Sequence, residues 1–594
     1  DITQGTLTNA NNTNYSITYV DGTLTVGQKT LTATALAADK TYDGTTSATV
    51  TLTLSGVVSG DTVTSSTAAT FTQSDVGVNL TATVNSITLS GADAGNYAIS
   101  SGQTDTADIN QLSSVAWTGN AGDGLWSTAG NWLNNLLPDG TNVASAAIPV
   151  SAAVTFDSDD VQSTTASIVN SGTLTFDGTN DYSISNIISG SGDIVKAQSN
   201  QLTMSGENTF TGSFTINGGS VIAANNNSFG TGQINLSDNT TLYLDSGINL
   251  ANDIAVTGTA TIEFNPITIE YLVVAGGGGG GNAYDNAGGG GGGGGMVLAG
   301  SVVDTPGEIY SISVGAGGQG GADIRANRNG SDGEDSIFGS ITALGGGAGG
   351  GSRTVGSPGA AQVGSTTAAT GGYGNGGGTA GDGGGGAASA GTENLSSGGT
   401  GGAGVSSLIS GTSTTYGSGG NGGDNYPVID GTSGTSNTGA GGAGGTSQSS
   451  NSASGGNGGS GVVILKYSSS VTGEGGDSSA TSSGYEITQY TSTGSSTFSA
   501  NYSATLSGDI SGTGSLNVNT VGGDVAISGD VNIDGNFVVK GNDITISSGK
   551  TITVGSNSDI FVVATDNFIN NSGSSALNVS GSGRWIVYAA DDDN

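Results

Sequence analysis

Residues 541–555 read "GNDITISSGKTITVG", and two incompatible folds compete for them. The inner "SSGKT" (547–551) suggests a phosphate-binding loop, which would mark an α/β protein. That motif needs a glycine five residues before Gly549, and position 544 is Ile. The flanks decide: Ile544, Ile546, Ile552 and Val554 alternate with polar residues, the two-residue period of strands with one buried face. No helix follows to offer its N-terminus to phosphate. The stretch is strand, turn and strand.

The same period recurs in "SATVTLTLSG" (47–56) and "GTLTFDG" (172–178). Gly, Asn and Asp interrupt it roughly every six to twelve residues, which fits all-β sandwiches or a solenoid. Helix signals are nearly absent. The expectation is an all-β chain.

Composition narrows function. Ten Lys plus Arg stand against 47 Asp plus Glu in 594 residues, a net charge of -37. Phosphate binding needs clustered cations and these ten are scattered, so no nucleic acid partner is expected, and anionic lipid is disfavoured by the same sign. Cys and His are absent, which removes disulfides, zinc sites and every Ser-His-Asp or Cys-His nucleophile. No apolar run reaches the ~18 residues of a membrane span, so no membrane insertion is expected within this chain. Asp1 stands where Met would, with no signal-peptide pattern behind it. The reading is a processed product or excised fragment.

The N-terminal part repeats itself: "NYSITYVDGTLTV" begins at Asn14 and "NYAISSGQTDTADI" at Asn96. Between them, "LTATALAADKTYDGTTSATV" (31–50), "GDTV" (60–63) and "GADAGNYAI" (91–99) resemble the YDG-type repeats of giant bacterial surface adhesins. That resemblance implies a stalk module at 28–111, with Tyr42, Asp43 and Gly44 as turn and packing residues. It also makes 1–27 the tail of a preceding repeat. Whether the module is a sandwich or a β-grasp is left open.

Downstream, "GSGDIVKAQSNQLTMSGENTFTGSFTINGGSVIAANNNSFGTGQINLSDNTTLYL" (190–244) resembles the autotransporter-associated β-strand repeat, through Leu202, Gly206, Asn208, Thr209, Phe210, Thr211, Gly212, Gly218 and Gly219. The resemblance implies a right-handed β-helix segment over 112–267. Inward Leu, Ile, Val and Phe would stack in columns while Asn and Gly turn corners. The end of the chain, through Asn567, Phe568, Asn570, Asn571, Ala576, Leu577, Gly583, Arg584 and Trp585, resembles filamentous-haemagglutinin-type adhesins of two-partner secretion systems. It implies a second β-helix segment over 469–594.

Between the two lies a glycine tract opening on "YLVVAGGGGGG" (271–281) and closing on "GGSGVVILKY" (458–467). Of 113 glycines, 68 fall between 271 and 470. Collagen is excluded, since no Gly-X-Y period holds and the chain has six prolines. Ordering 68 glycines rather than alanines costs on the order of 30–70 kcal/mol. Side chains cannot offset that, but backbone hydrogen bonds, at roughly 0.5–1.5 kcal/mol each, can. Matched apolar ends and the alternating "YSISVGAGG" (310–318) favour a folded domain over a spacer. The tract resembles a Gly-rich domain of phage tail adhesins and bacterial surface proteins, which implies polyglycine-type helices, three residues per turn, over 268–468.

Candidate chemistry is sparse. Trp117, Trp126 and Trp132, in "AWTGNAGDGLWSTAGNW" (116–132), could stack a sugar ring or cap the first β-helix coils. "GGNGGDNYP" (419–427) fits one calcium-binding nonapeptide with Asp424 as ligand, without the neighbouring copies such rolls need. Asp157, Asp159, Asp160, Asp591, Asp592 and Asp593 suit solvated turns or weak Ca2+ binding, and no other cofactor is expected. Two carboxylates could make a glycosidase, but no pair is singled out. The expected function is a non-enzymatic, rigid, multivalent adhesive segment of a secreted bacterial surface protein. Its partners would be cell-surface glycans or proteins, or other copies of itself. A self-assembling extracellular filament subunit and a carbohydrate-active β-helix protein are the alternatives.

Overall fold

The computed structural model describes residues 9–11, 13–18, 20, 22–157, 166–322, 329–351, 381–392, 397–448 and 450–590. The chain is all-β, 43% strand and 2% helical. The helical elements among the described residues are four three-residue 3-10 turns, so no helix is long and apolar enough to cross a membrane. Two compact units separate. One comprises 1–123, 128–147 and 163–167; the other comprises 124–127, 148–162 and 168–594.

In the first unit a five-stranded sheet runs in the order Lys40–Thr41, Thr104–Asn110, Gly77–Ser90, Thr64–Phe71, Ser47–Ala48. Beside it lies an antiparallel pair, Thr32–Ala37 with Val50–Ser55. Alternation sends Val50, Ala69, Phe71, Ala82, Val84, Ala107 and Ile109 into one core, with Ala35 and Leu52 of the pair against it. The question of fold is thereby answered: two small sheets share a core as in a sandwich, and no helix crosses a sheet as in a β-grasp. Of residues 1–27, the described ones contain a single 3-10 turn, Asn9–Asn11, and no strand.

The second unit is a β-solenoid. One parallel sheet stacks ten strands from Ala153–Phe156 to Leu577–Ser580, and another stacks nine from Tyr182–Ile184 to Trp585–Tyr588. A third ladder includes Ile248–Leu250, Gly523–Ile527, Ile544–Ile546 and Phe568–Asn570. Leu174, Ile194, Phe214, Ile234 and Ile254 stack directly on one another, twenty residues per coil. All are buried. At one corner Gly172, Gly192, Gly212 and Gly232 keep the same spacing, because a Cβ on Gly212 would lie 2.1 Å from the Gly192 carbonyl oxygen of the coil beneath. Asparagines tie other corners. Asn208 is buried; its Oδ1 accepts from the Ile188 N–H and its Nδ2 donates to the Ser228 carbonyl, both at 2.8 Å.

The two expected β-helix segments are one solenoid. Ile248–Leu250 pairs in parallel with Ala504, Thr505 and Leu506, Ile254–Val256 with Ile510–Gly512, and residues 259–263 with 515–519. Coils separated by the whole glycine tract are therefore direct neighbours, and everything between 264 and 502 is an insertion into a single turn. The seam was invisible to local periodicity because its partners lie so far apart in the chain.

The insertion is built on a five-stranded antiparallel sheet, ordered Val297–Val303, Thr268–Val274, Val462–Ser468, Tyr485–Tyr490, Ser478–Ser482. From it the glycine segments run outward, buried throughout 276–281 and 288–295. Their backbone donors cycle through three neighbours. Gly276 and Gly279 donate to Glu334 and Ser331, Gly277 and Gly280 to Gly459 and Gly456, Gly278 and Gly281 to Gly293 and Gly290. Every third residue thus returns to the same partner. A Cβ on Gly280 would sit 2.1 Å from the Ala443 carbonyl oxygen, so the interior of this array is backbone alone. At its rim, side chains replace carbonyls as acceptors with the same period: Asn329, Asp332 and Asp335 accept from the N–H groups of Gly351, Ala348 and Gly345 at 2.9, 2.7 and 2.8 Å.

One strand joins insertion to solenoid. The first half of Gly494–Leu506 pairs antiparallel with Ile309–Val314, and its second half pairs in parallel with residues 523–527 of the next coil. At the joint Tyr502 stacks on Phe264 with ring centroids 5.3 Å apart. Its hydroxyl donates to the buried Asp304 carboxylate at 2.7 Å. Burial, foremost, lifts the Asp304 carboxyl above its ordinary range, against the lowering effect of the hydrogen bonds from Tyr502 and Tyr310.

Candidate functional site

The tryptophans do not form a ligand surface. Trp117, Trp126 and Trp132 are at most 6% exposed. Trp117 meets Trp132 edge-on at 5.0 Å. Trp126 instead lies 4.9 Å from Phe156, which is followed at 5.5 Å by Phe176, so it heads an aromatic column at the start of the solenoid. The stacking role fails because the flanking Gly, Asn and Asp make the turns that fold the rings inward. At the other end Trp585 pairs in register with Ile560 and is 56% exposed.

Tyr42, Asp43 and Gly44 form a turn. Asp43 Oδ1 accepts from Lys40 Nζ at 2.7 Å, from the Thr45 N–H at 2.9 Å and from Thr45 Oγ1 at 2.8 Å. Burial opposes its ionisation, but these bonds outweigh it and hold the carboxyl below its ordinary range. Gly44 has φ +74°, which favours glycine, and Tyr42 packs on the unit's core.

The remaining sequence candidates have structural surroundings. Lys550, of the phosphate-loop look-alike, lies 3.3 Å from Asp530 at a solenoid corner. Asp157 accepts from Ser127 Oγ at 2.7 Å. Asp424 Oδ1 accepts from the Asn425 N–H at 2.5 Å. Asp159, Asp160, Asp591, Asp592 and Asp593 lie outside the described residues.

Two features that the sequence did not single out could meet a partner. The first is the end of the glycine array away from its sheet, where Gly281, Gly289, Gly423 and Gly445 lie side by side through mutual backbone hydrogen bonds. The loops leaving this level, 282–287 and 424–430, carry Tyr284 and the run Tyr426, Pro427, Val428 and Ile429. Tyr426 is 65% and Ile429 55% exposed, an exposed apolar cluster at this end of the array. The second is a cleft of about 590 Å³ between the insertion and the solenoid, lined by Glu474, Asn501, Asp524, Asn542, Asp543, Thr565 and Asp566 among others, with no Lys or Arg. Burial first, and then the charges of Asp543, Asp566 and Glu474, raise the Asp524 carboxyl above its ordinary range. Short-range alternation marks strands; it does not show which loops meet, so neither feature was legible.

Comparison with known families adds two matches. Residues 27–107 match the YDG domain, and 253–468 match the Glycine-rich domain. The second match begins inside the last solenoid coil before the insertion. No curated protein matches the chain. A YDG domain and a glycine-rich domain on a β-solenoid fit a structural or adhesive class of protein.

Proposed function

We propose that this chain is a rigid, non-enzymatic stalk-and-display segment of a large secreted bacterial surface adhesin. The solenoid supplies length. The glycine domain, read as a bundle of three-residue-per-turn polyglycine helices, holds the Tyr284 and Tyr426 loops away from it. The three-residue donor cycle and the rim of Asn329, Asp332 and Asp335 support that reading of the bundle. The observation that carries the function is the uninterrupted ladder from 248–263 to 504–519. A domain inserted within one turn and welded by strand Gly494–Leu506 has two covalent links and a shared sheet instead of a flexible tether. Such a display suits many weak contacts in parallel, with cell-surface glycans or proteins or with other copies of the chain.

The test compares binding to glycan arrays and to bacterial and host cells by the whole chain, a chain lacking 265–500, and Tyr426→Ala. Loss of binding in the second and at least tenfold weakening in the third support the reading. Equal binding by all three would remove the display role. The acidic cleft favours one further reading, a carbohydrate-active protein using Asp524 as the acid. It requires polysaccharide cleavage that Asp524→Asn abolishes.

A further inference from the structure

Among the described residues of the solenoid, Lys196 is the one charged side chain buried in the interior. Along the ladder Phe176, Lys196 and Ile216 stack in register, so Lys196 occupies an inward position between an aromatic and an aliphatic side chain. It is 0% exposed. Its Nζ does not escape to solvent; it turns into the corner that follows, where it donates to the Gln198 carbonyl and to Asn200 Oδ1, the latter at 2.8 Å. The Asn200 amide nitrogen in turn donates to the Asn180 and Gln201 carbonyls, which fixes the carboxamide against the amine. A salt bridge would be the ordinary partner for a buried ammonium, yet this one meets a carboxamide.

We propose that Lys196 and Asn200 are a self-modification site at which the amine acylates itself to form an intramolecular isopeptide bond. Nζ attacks Asn200 Cγ, the Nζ–Cγ bond forms, and the Cγ–Nδ2 bond breaks. One proton passes from Nζ to the departing nitrogen, which leaves as ammonia; no oxidant, reductant or cofactor enters the balance. Three conditions for this chemistry meet here. Burial, the largest cause, lowers the Lys196 pKa to about 8, so a sizeable neutral fraction exists near neutral pH. The acyl oxygen is already in hydrogen-bond contact with the nucleophile. Asp177 and Asp181 are the carboxylates whose charge acts on the amine, and that charge stabilises the positive charge that develops on Nζ as it attacks. The leaving side is open, since Asn200 is only partly buried. The product would be a covalent brace across the 197–200 corner.

Intact-mass spectrometry of the full chain decides the matter. The expected mass is lower than that of the sequence by one ammonia, with proteolytic fragments containing Lys196 joined to Asn200. The Asn200→Ala and Lys196→Met chains should each show their full sequence mass. A wild-type mass equal to that of the unmodified sequence, after prolonged incubation at pH 8, overturns the proposal. So does an ammonia deficit that persists in Lys196→Met, which would place the loss elsewhere.

Discussion

If the glycine domain interrupts a single coil, its removal should heal the solenoid. In the coil below the seam, residues 245–247 lead from Leu244 to Ile248. Phe264 stacks on Leu244 and Ala504 on Ile248. Deleting 265–500 leaves residues 501–503 between Phe264 and Ala504, a corner of equal length. It also puts Asn501 where Asn265 stood, and Asn265 donates to Asp245 at 2.7 Å, so the same residue type inherits the bond. The stake can be sized from the seam itself. A slipped join would uncover one face each of Leu250, Ile254, Ile262, Leu506, Ile510 and Val518, all buried. At about 1.5–3 kcal/mol for a fully buried aliphatic side chain, half-exposure of six costs on the order of 5–9 kcal/mol. Hydrogen exchange and calorimetry read the result. The shortened chain should protect the amides of Ile254–Val256 and Ile510–Gly512 as the whole chain does, and its solenoid should melt in one transition. Fast exchange at Ile510–Gly512, or a solenoid transition split in two, would refute the seam.

Other perturbations test other levels of the structure. Gly280→Ala and Gly292→Ala each place a Cβ 2.1 Å from a neighbouring carbonyl oxygen. Both should unfold the glycine array by calorimetry, whereas Gly484→Ala, with open space around it but φ +83°, should cost only about 1 kcal/mol. Asn208→Ala should cost about 2–4 kcal/mol in denaturant midpoint, since it strips partners from the Ile188 N–H and the Ser228 carbonyl in a buried corner. Trp126→Ala removes the head of the aromatic column and should lower solenoid stability by about 3–5 kcal/mol. Asp304 supplies a pH signature. Its folded-state pKa is raised, so its ionised form penalises the insertion's anchor, and that penalty disappears as pH falls through the raised value. Thermal scans run from neutral pH down into the ordinary carboxylate range should show the insertion gaining stability on acidification, a gain that Asp304→Asn abolishes.

Alternation in "GNDITISSGKTITV" and "GTLTFDG" was enough for the strands, because a half-buried strand has only one way to distribute its side chains. The matched ends of the glycine tract foretold order because "YLVV" and "VVIL" become adjacent strands of one sheet. Lys196 was readable too: Ile194 points inward, and two residues on Lys196 must follow it. The seam was not, since nothing near Ile254 names Ile510 as its neighbour. The twenty-residue period escaped notice because only the corner glycines preserve their identity while the stacked residues vary among Leu, Ile, Phe and Val. The tryptophans misled for a related reason. Turn residues around an aromatic ring look like a surface, yet turns are also how a chain folds an aromatic cap over a column's end.

The rim of Asn329, Asp332 and Asp335 bears on growth. A lattice of backbone alone has no intrinsic boundary: each outer segment offers N–H groups to any further extended chain, as an unprotected sheet edge does. Side-chain oxygens at every third position answer those donors from within the molecule and occupy the place another glycine segment would take. The array is thus terminated here by side-chain oxygens, and the carboxylates of Asp332 and Asp335 set like charge against approaching copies. Replacing all three with glycine would leave a surface still wanting acceptors, and such a protein should stick to itself through the flank of its glycine array.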